Sequence, residues 1–240
     1  MITSASNPRL KLVRKLASRR QREQLGLFVC EGEDLVRAAL EAGIEPVDVL
    51  IDAERTPAEL GLAGAVEAVE PRLLAELSDL GHPARVVAVF RRADLPRLDP
   101  DRPPPAGLAL WSVGDPGNIG TLFRVADGLG PAFVALSRGC ADPTSRKALR
   151  ASAGAVFRVP AAGFEDAPGR RVALVARGGR ALCELDLSGP VTFVLGSERD
   201  GLPPAVVAAC DETATIPLAA GAESLNVATA GAIALYERRG

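Results

Sequence analysis

The strongest constraint on the fold lies in the second half of the chain. There, short apolar runs recur with helix-like stretches between them: LALWSV (108–113), FVAL (133–136), VALVA (172–176), VTFVLG (191–196) and TATIPL (213–218). Each run suits a strand buried on both faces. Between them, IGTLFRVADGLG and PPAVVAAC read as helical crossovers. Strands joined by crossovers predict an α/β fold with a mostly parallel sheet covered by helices. Aromatics are only 4% of residues against 48% hydrophobic, so the core must be built from Val, Leu and Ala, as a helix-covered sheet permits.

Upstream, residues 92–107 carry prolines at 96, 100, 103, 104 and 105. Proline at that density continues neither a helix nor a central strand, so this segment reads as a linker. It divides the chain into a small unit, 1–91, and a larger one, 108–240. In the small unit, residues 10–24 read as one helix and 27–30 as a short strand. EGEDLVRAALEAG reads as a helix ending at Gly43, and VDVLID, AVEAVE and ARVVAVF as strands. The result is a small α/β sandwich.

The net charge of −2 argues against a wholly basic nucleic-acid binder, but it hides an asymmetry. Residues 1–24 hold Arg9, Lys11, Arg14, Lys15, Arg19, Arg20 and Arg22 against Glu23 alone. A basic end on an acidic body points to a polyanion, such as a phosphate backbone, contacted at that end. Four separated cysteines without a CxxC pair, and His82 as the single histidine, argue against a zinc site or a disulfide framework. With no apolar leader and no long apolar run, the expectation is a cytoplasmic protein with no membrane contact.

In open α/β sheets, ligands bind at the carboxyl ends of strands, so the loops after 113, 196 and 218 are the places to look. The first runs Gly114-Asp115-Pro116-Gly117-Asn118 into a helix carrying Arg124. Asp115 or Asn118 is placed to cap that helix, and Arg124 is either a surface charge or a planar fork for a phosphate. In the second, Gly196 permits close backbone approach, while Glu198 can accept hydrogen bonds from a ribose or an amine. In the third, Ser224 or Asn226 caps a helix that runs through Tyr236. There is no GxGxxG after a strand and no GxxxxGK[ST], which disfavours a dehydrogenase or a P-loop NTPase.

Together the three loops resemble the motifs of the SpoU (TrmH-like) branch of the SPOUT RNA methyltransferases. The matching residues are Asn118-x-Gly120-x3-Arg124-x-Ala126, then Leu195-Gly196-x-Glu198-x2-Gly201-Leu202, then Ile216-Pro217 with Ser224-Leu225-Asn226-Val227 and Leu235-Tyr236-Glu237. Residues 142–160 look like the family's intervening segment. ITSASNPRLKLVRKL and FVCEGEDLVRAAL resemble its substrate domain, which is similar to ribosomal protein L30.

The resemblance implies a deep trefoil knot in the C-terminal part of the sheet, a homodimer, and S-adenosylmethionine as methyl donor with no metal. It implies methylation of a ribose 2′-hydroxyl, with 23S ribosomal RNA favoured over tRNA because the chain lacks the helical C-terminal extension common in tRNA-acting members. A tRNA enzyme and a non-catalytic RNA-binding relative are the alternatives. By the same resemblance, Leu195, Gly196, Ile216 and Leu225 hold the cofactor with Ser224 and Asn226 beside it. Arg124 acts on the hydroxyl, and Asn118 and Glu198 position its partners. Ala228 stands where many members have Ser, which removes one hydroxyl near the site.

Overall fold

The computed structural model describes residues 1–55, 60, 66–78, 84–220 and 222–239; His82 and Gly221 lie outside them. The small unit is built on a four-stranded sheet of β1 (Leu27–Glu31), β2 (Asp48–Asp52), β3 (Val66–Val69) and β4 (Val86–Arg91), in the order β1-β4-β2-β3. β4 is antiparallel to both neighbours, and β2 pairs with β3 in parallel.

Side chains alternate across a strand, so each strand feeds two layers. Val29, Leu50, Val87 and Val89 point to one side, where Leu10 and Val13 of α1 (Pro8–Lys15) and Leu73 and Leu74 of α4 (Pro71–Ala75) cover them. Phe28, Cys30, Ala88 and Phe90 point to the other, against Leu35, Val36 and Ala39 of α3 (Glu33–Glu41).

The single helix expected over residues 10–24 is two. α1 ends at Lys15, and α2 runs Arg19–Leu25. The turn between them is held by the Arg22 guanidinium, whose Nη1 donates to Leu16 O and Ala17 O, both at 2.9 Å. These carbonyls have no continuing helix to pair with, and Arg22 supplies the donor instead.

The large unit carries seven strands: β5 (Ala106–Leu110), β6 (Ala132–Leu136), β7 (Ala161–Gly163), β8 (Arg170–Leu174), β9 (Arg180–Ala181), β10 (Val191–Leu195) and β11 (Glu212–Thr215). Their order is β7-β6-β5-β10-β8-β11-β9, and every pairing is parallel. β10 enters between β5 and β8, which precede it in the chain, and β11 enters between β8 and β9. The short edge strands β7 and β9 were not evident from apolar runs, because three small residues and two residues carry no readable period.

Leu108, Leu110, Phe193 and Leu195 face α5 (Pro116–Leu129) and α8 (Val227–Arg239). Ala109, Phe133, Ala135 and Val194 face Phe164, Trp111 and Val206, the last from α7 (Pro204–Ala208). α5 packs closely on α6 (Arg146–Ser152). A Cβ at Gly120 would stand 2.2 Å from Ala148 O, so no larger residue fits that crossing.

The proline-rich segment is tied to the sheet edge. Ala161 N donates to Pro96 O at 3.1 Å, and Leu98 N donates to Ala161 O at 3.0 Å.

The two units share one core. Phe28 and Phe90 stack at 5.8 Å, and both meet Phe157 of the large unit, at 6.4 and 6.2 Å. Beside this aromatic contact lies Asp142, whose side chain is 3% exposed. It accepts from Arg22 Nε at 2.8 Å, and Arg92 Nη1 lies 3.1 Å from its other oxygen. Arg92 also donates to Thr144 Oγ1 at 2.7 Å. Burial pushes the Asp142 carboxyl up, but the Thr144 hydroxyl, Arg92 and Arg22 together hold it below the ordinary carboxylate value.

Asp142→Ala leaves Arg22 buried without its counter-charge, which should cost about 3–5 kcal/mol of stability in denaturant titration. The depressed pKa gives the sign with pH. The ionised form contributes stability in full above the unfolded value of about 4, and loses it as pH falls through the lower folded value. Asp142→Asn should therefore flatten the acid limb of the stability profile below about pH 4; an unaltered limb would mean that other carboxylates carry it.

Candidate active site

Because all seven strands are parallel, their carboxyl ends lie on one edge, and the loops after β5, β8, β10 and β11 crowd together there. After β5 the chain turns at Ser112, which holds a left-handed φ of 53°, and enters α5. Asp115 is the cap. Its carboxylate accepts from Asn118 N at 3.0 Å and from Lys147 Nζ at 2.6 Å, and Pro116 takes the first helical position. The Lys147 ammonium, with the backbone N–H groups of Asn118 and Gly117, holds the Asp115 carboxyl below its usual range against the effect of burial.

After β10 the chain makes a tight hairpin. Ser197 and Gly201 exchange backbone hydrogen bonds, both at 3.1 Å. A Cβ at Gly196 would fall 2.1 Å from the Gly201 carbonyl carbon, so the hairpin closes only over glycine. The hairpin holds out Glu198.

After β11 the loop ends at Asn226. Its Oδ1 caps α8, accepting from Ala228 N at 2.9 Å and Thr229 N at 3.3 Å. That cap fixes which way the amide faces. The Asn226 Nδ2 is left to donate to Asn118 Oδ1 at 3.0 Å, and Asn118 Nδ2 in turn donates to Glu198 Oε1 at 2.8 Å. The backbone N–H groups of Gly114 and Asp115 also reach Glu198, at 3.3 and 3.4 Å. Partial burial pushes the Glu198 carboxyl up, but the Asn118 amide and the surrounding backbone donors outweigh it, and its pKa lies below the ordinary glutamate value. Glu198 is ionised at neutral pH, and one directional chain of hydrogen bonds joins the three loops.

Beside this chain opens a cavity of about 600 Å³, lined by Leu195, Gly196, Ile216, Ser224, Leu225 and Asn226, with Glu198 at its wall. The size falls inside the range of about 300–1,000 Å³ typical of small-molecule sites. The lining mixes aliphatic residues of the strand ends with polar ones, Ser197, Glu198, Arg199, Asp200, Ser224 and Asn226. Such a wall can pack a flat ring and hold a polar tail. Among the described residues, no group of three or more His, Cys, Asp or Glu is arranged to hold a metal ion.

Arg124 does not line this cavity. It stands about 9 Å along the α5 axis from Asn118. It is exposed and has no hydrogen bond or ion pair among the described residues. Its fork is therefore free to meet a ligand from outside the cavity. Sequence reasoning missed Leu174, Val175 and Ala176, which line the cavity from the end of β8. They became part of it only because β8 lies between β10 and β11. It also missed Lys147, whose reach to Asp115 has no local signature.

The basic N-terminal face is largely committed to the protein itself. Arg22 is a correction to the expected phosphate-binding set, because its side chain is only 6% exposed and it is locked on Asp142. Arg9 pairs with Asp48 and Glu67, Arg14 donates to Ala5 O and pairs with Glu76, and Arg19 engages Glu23 and Cys140 O. Lys11, Lys15 and Arg20 remain exposed and uncommitted among the described residues.

Residues 105–236 match the SpoU rRNA Methylase family, and residues 7–88 match the MRM3-like substrate binding domain. The chain is 31% identical to the 23S rRNA (guanosine(2553)-2'-O)-methyltransferase RlmP of Bacillus subtilis, over all of this chain and 99% of that protein. It is 32% identical to the 23S rRNA (uridine(2479)-2'-O)-methyltransferase of Streptomyces viridochromogenes, over 92% of this chain and 85% of that one. Its fold is similar to the AdoMet-bound rRNA methyltransferase from Sinorhizobium meliloti, with a TM-score of 0.86 and 31% identity over 99% of this chain and 96% of that one.

Asn118→Ala removes the side-chain donor from Glu198. The Glu198 carboxyl should then titrate at a higher pH, closer to the free glutamate value of about 4.3, in a carboxyl-carbon NMR titration. An unchanged curve would show that the backbone donors alone hold the charge.

Proposed function

The chain belongs to the SpoU rRNA methylase family, and we propose that it transfers a methyl group from S-adenosylmethionine to a ribose 2′-hydroxyl of 23S ribosomal RNA. The observation that carries this reading is that Glu198 and Asn226, both lining one cavity on the carboxyl edge of the sheet, are joined by Asn118 in a single chain of hydrogen bonds. Two relatives that align with this chain over 99% and 85% of their own length are themselves 23S ribosomal RNA 2′-O-methyltransferases.

In this reading the cavity residues Leu195, Gly196, Ile216 and Leu225 hold the cofactor through their backbones, with Ser224 and Asn226 beside it. The bound cofactor supplies a sulfonium methyl that is already activated. What the protein must add is alignment of the ribose oxygen and stabilisation of the charge that develops on it. Asn118 and Asn226 are held in one orientation each, because a helix cap at one end and an ionised Glu198 at the other leave no alternative amide direction. Pre-set dipoles of this kind cost no reorganisation when charge appears. The Arg124 guanidinium is a planar, delocalised cation with donors in a fixed fork. It therefore acts as a clamp on the neighbouring phosphate and as a stabiliser of the developing alkoxide.

The same reading assigns residues 1–91 to an L30-like substrate-binding domain, 92–107 to the linker and 108–240 to the catalytic domain. It makes the C-terminal part of the sheet a deep trefoil knot. In support, β10 enters between strands laid down earlier, and α8 then returns onto α5, where a Cβ at Gly231 would stand 2.5 Å from Leu122 Cδ2. A homodimer is also part of the reading. Tyr236 on α8 is 68% exposed and Leu225 is 37% exposed, apolar surface that a second copy would cover. Among the described residues, no helix is long and apolar enough to cross a membrane, and a ribosomal RNA substrate assigns the protein to the cytoplasm.

Labelled methyl transfer to unmodified 23S ribosomal RNA, followed by alkaline hydrolysis, tests the reaction. Label should appear in alkali-resistant dinucleotides. Label in mononucleotides would move the chemistry to a base. Arg124→Ala should lower turnover by about 100-fold or more while leaving cofactor affinity within a few fold; full turnover in that variant would remove Arg124 from the mechanism.

A further inference from the structure

A second concavity, of about 700 Å³, lies where the two units meet. Arg19 from α2, Arg92 and Arg97 from the connecting segment, and Arg138 from the loop after β6 all line it, and two carboxylates, Asp142 and Asp166, face them. Asp142 is already neutralised by Arg22 and Arg92. Arg97 and Arg138 are exposed and have no hydrogen bond or ion pair among the described residues. The guanidinium Nη2 groups of Arg19 and Arg92 are likewise uncommitted, because their bonds to protein run through Nε and Nη1. Set against Asp166, the remaining carboxylate of the lining, Arg19, Arg97 and Arg138 leave this concavity net positive in a chain of net charge −2. It favours a polyanion over a protein or membrane surface.

Its position gives it a role. The concavity opens at the carboxyl ends of β6 and β7, and the cofactor cavity at those of β10, β8 and β11. Both lie on one edge of one parallel sheet, about three strand spacings or ~15 Å apart. The loop after β5 forms the bridge between them, and Ser112 N donates to Ser137 Oγ at 2.9 Å to tie the two sides together.

We propose that this interdomain groove binds the phosphodiester backbone of the substrate RNA strand next to the nucleotide being modified, with Arg97 and Arg138 as its principal phosphate contacts. The proposal rests on the RNA methyltransferase reading for its ligand. Neither residue belongs to the site that would carry out the chemistry.

The test uses the full chain with Arg97 and Arg138 changed singly and together, first to Ala and then to Lys, with thermal unfolding of each variant checked against the parent. RNA affinity of the double Ala variant should fall roughly tenfold or more at low salt. The slope of log affinity against log salt should shrink by about 0.7 for each phosphate of a single strand that the variant no longer neutralises. The Lys pair should keep most of the slope. KM for RNA should rise while kcat and cofactor affinity stay near the parent's. RNA affinity and salt slope equal to the parent's would overturn the proposal, as would a parent chain that holds no RNA. Tight binding of a mononucleotide to the parent, lost in the double variant while RNA affinity is kept, would make the groove a nucleotide site and overturn it too. If the parent methylates no RNA yet the double variant loses RNA affinity, the groove stands and the assigned reaction falls. If the parent methylates ribosomal RNA and the double variant matches it in KM and slope, the reaction stands and the groove falls.

Discussion

Parallel pairing of the seven strands is the constraint from which the site follows. A parallel strand cannot return by a tight turn, so each must be followed by a crossover that carries the chain back over a face. All carboxyl ends then share one edge, and residues far apart in the chain meet there. Asn118, Glu198 and Asn226 come from the loops after β5, β10 and β11, yet they form one hydrogen-bonded chain because those strands end on the same edge. The same crossovers bury both faces of β5 and β10, which explains their unbroken apolar runs.

The junction between the units depends on a different balance. Burying a carboxylate is costly, and a buried ion pair is not by itself strong support for a fold. Asp142 is tolerated because it is fully paired: Arg22 and Arg92 take its charge, and the Thr144 hydroxyl and N–H satisfy its Oδ1. Shape does the rest, with Phe28, Phe90 and Phe157 closing the two cores into one. Arg146 adds a second buried bridge to Glu31 at 2.7 Å. The outcome is a fixed relation between the small unit and the carboxyl edge, and the arginine-lined groove exists only because that relation is fixed.

Charge in this chain is misleading when counted and informative when placed. Seven cations in the first 24 residues look like one phosphate-binding face. Most of them hold the protein together. Of the arginines at the groove only Arg19 belongs to that basic segment; Arg92, Arg97 and Arg138 lie outside it.

What the sequence by itself determined is the part written in local periodicity and local chemistry. The alternation of apolar runs and crossovers prescribed a mostly parallel α/β sheet. Helix caps were readable to within two candidates each, Asp115 or Asn118 and Ser224 or Asn226, because a cap needs only its own next turn; the structure selects Asp115 and Asn226. The tertiary structure decided which partners those groups meet. Asn118 lies 80 residues from Glu198 and 108 from Asn226, and Arg22 lies 120 from Asp142. No spacing along the chain encodes such a pairing. It is set by strand order, which put β8 between β10 and β11 and so brought Val175 to the cavity. It is set also by burial, which turned Arg22 from an apparent surface cation into the counter-charge at the core of the molecule.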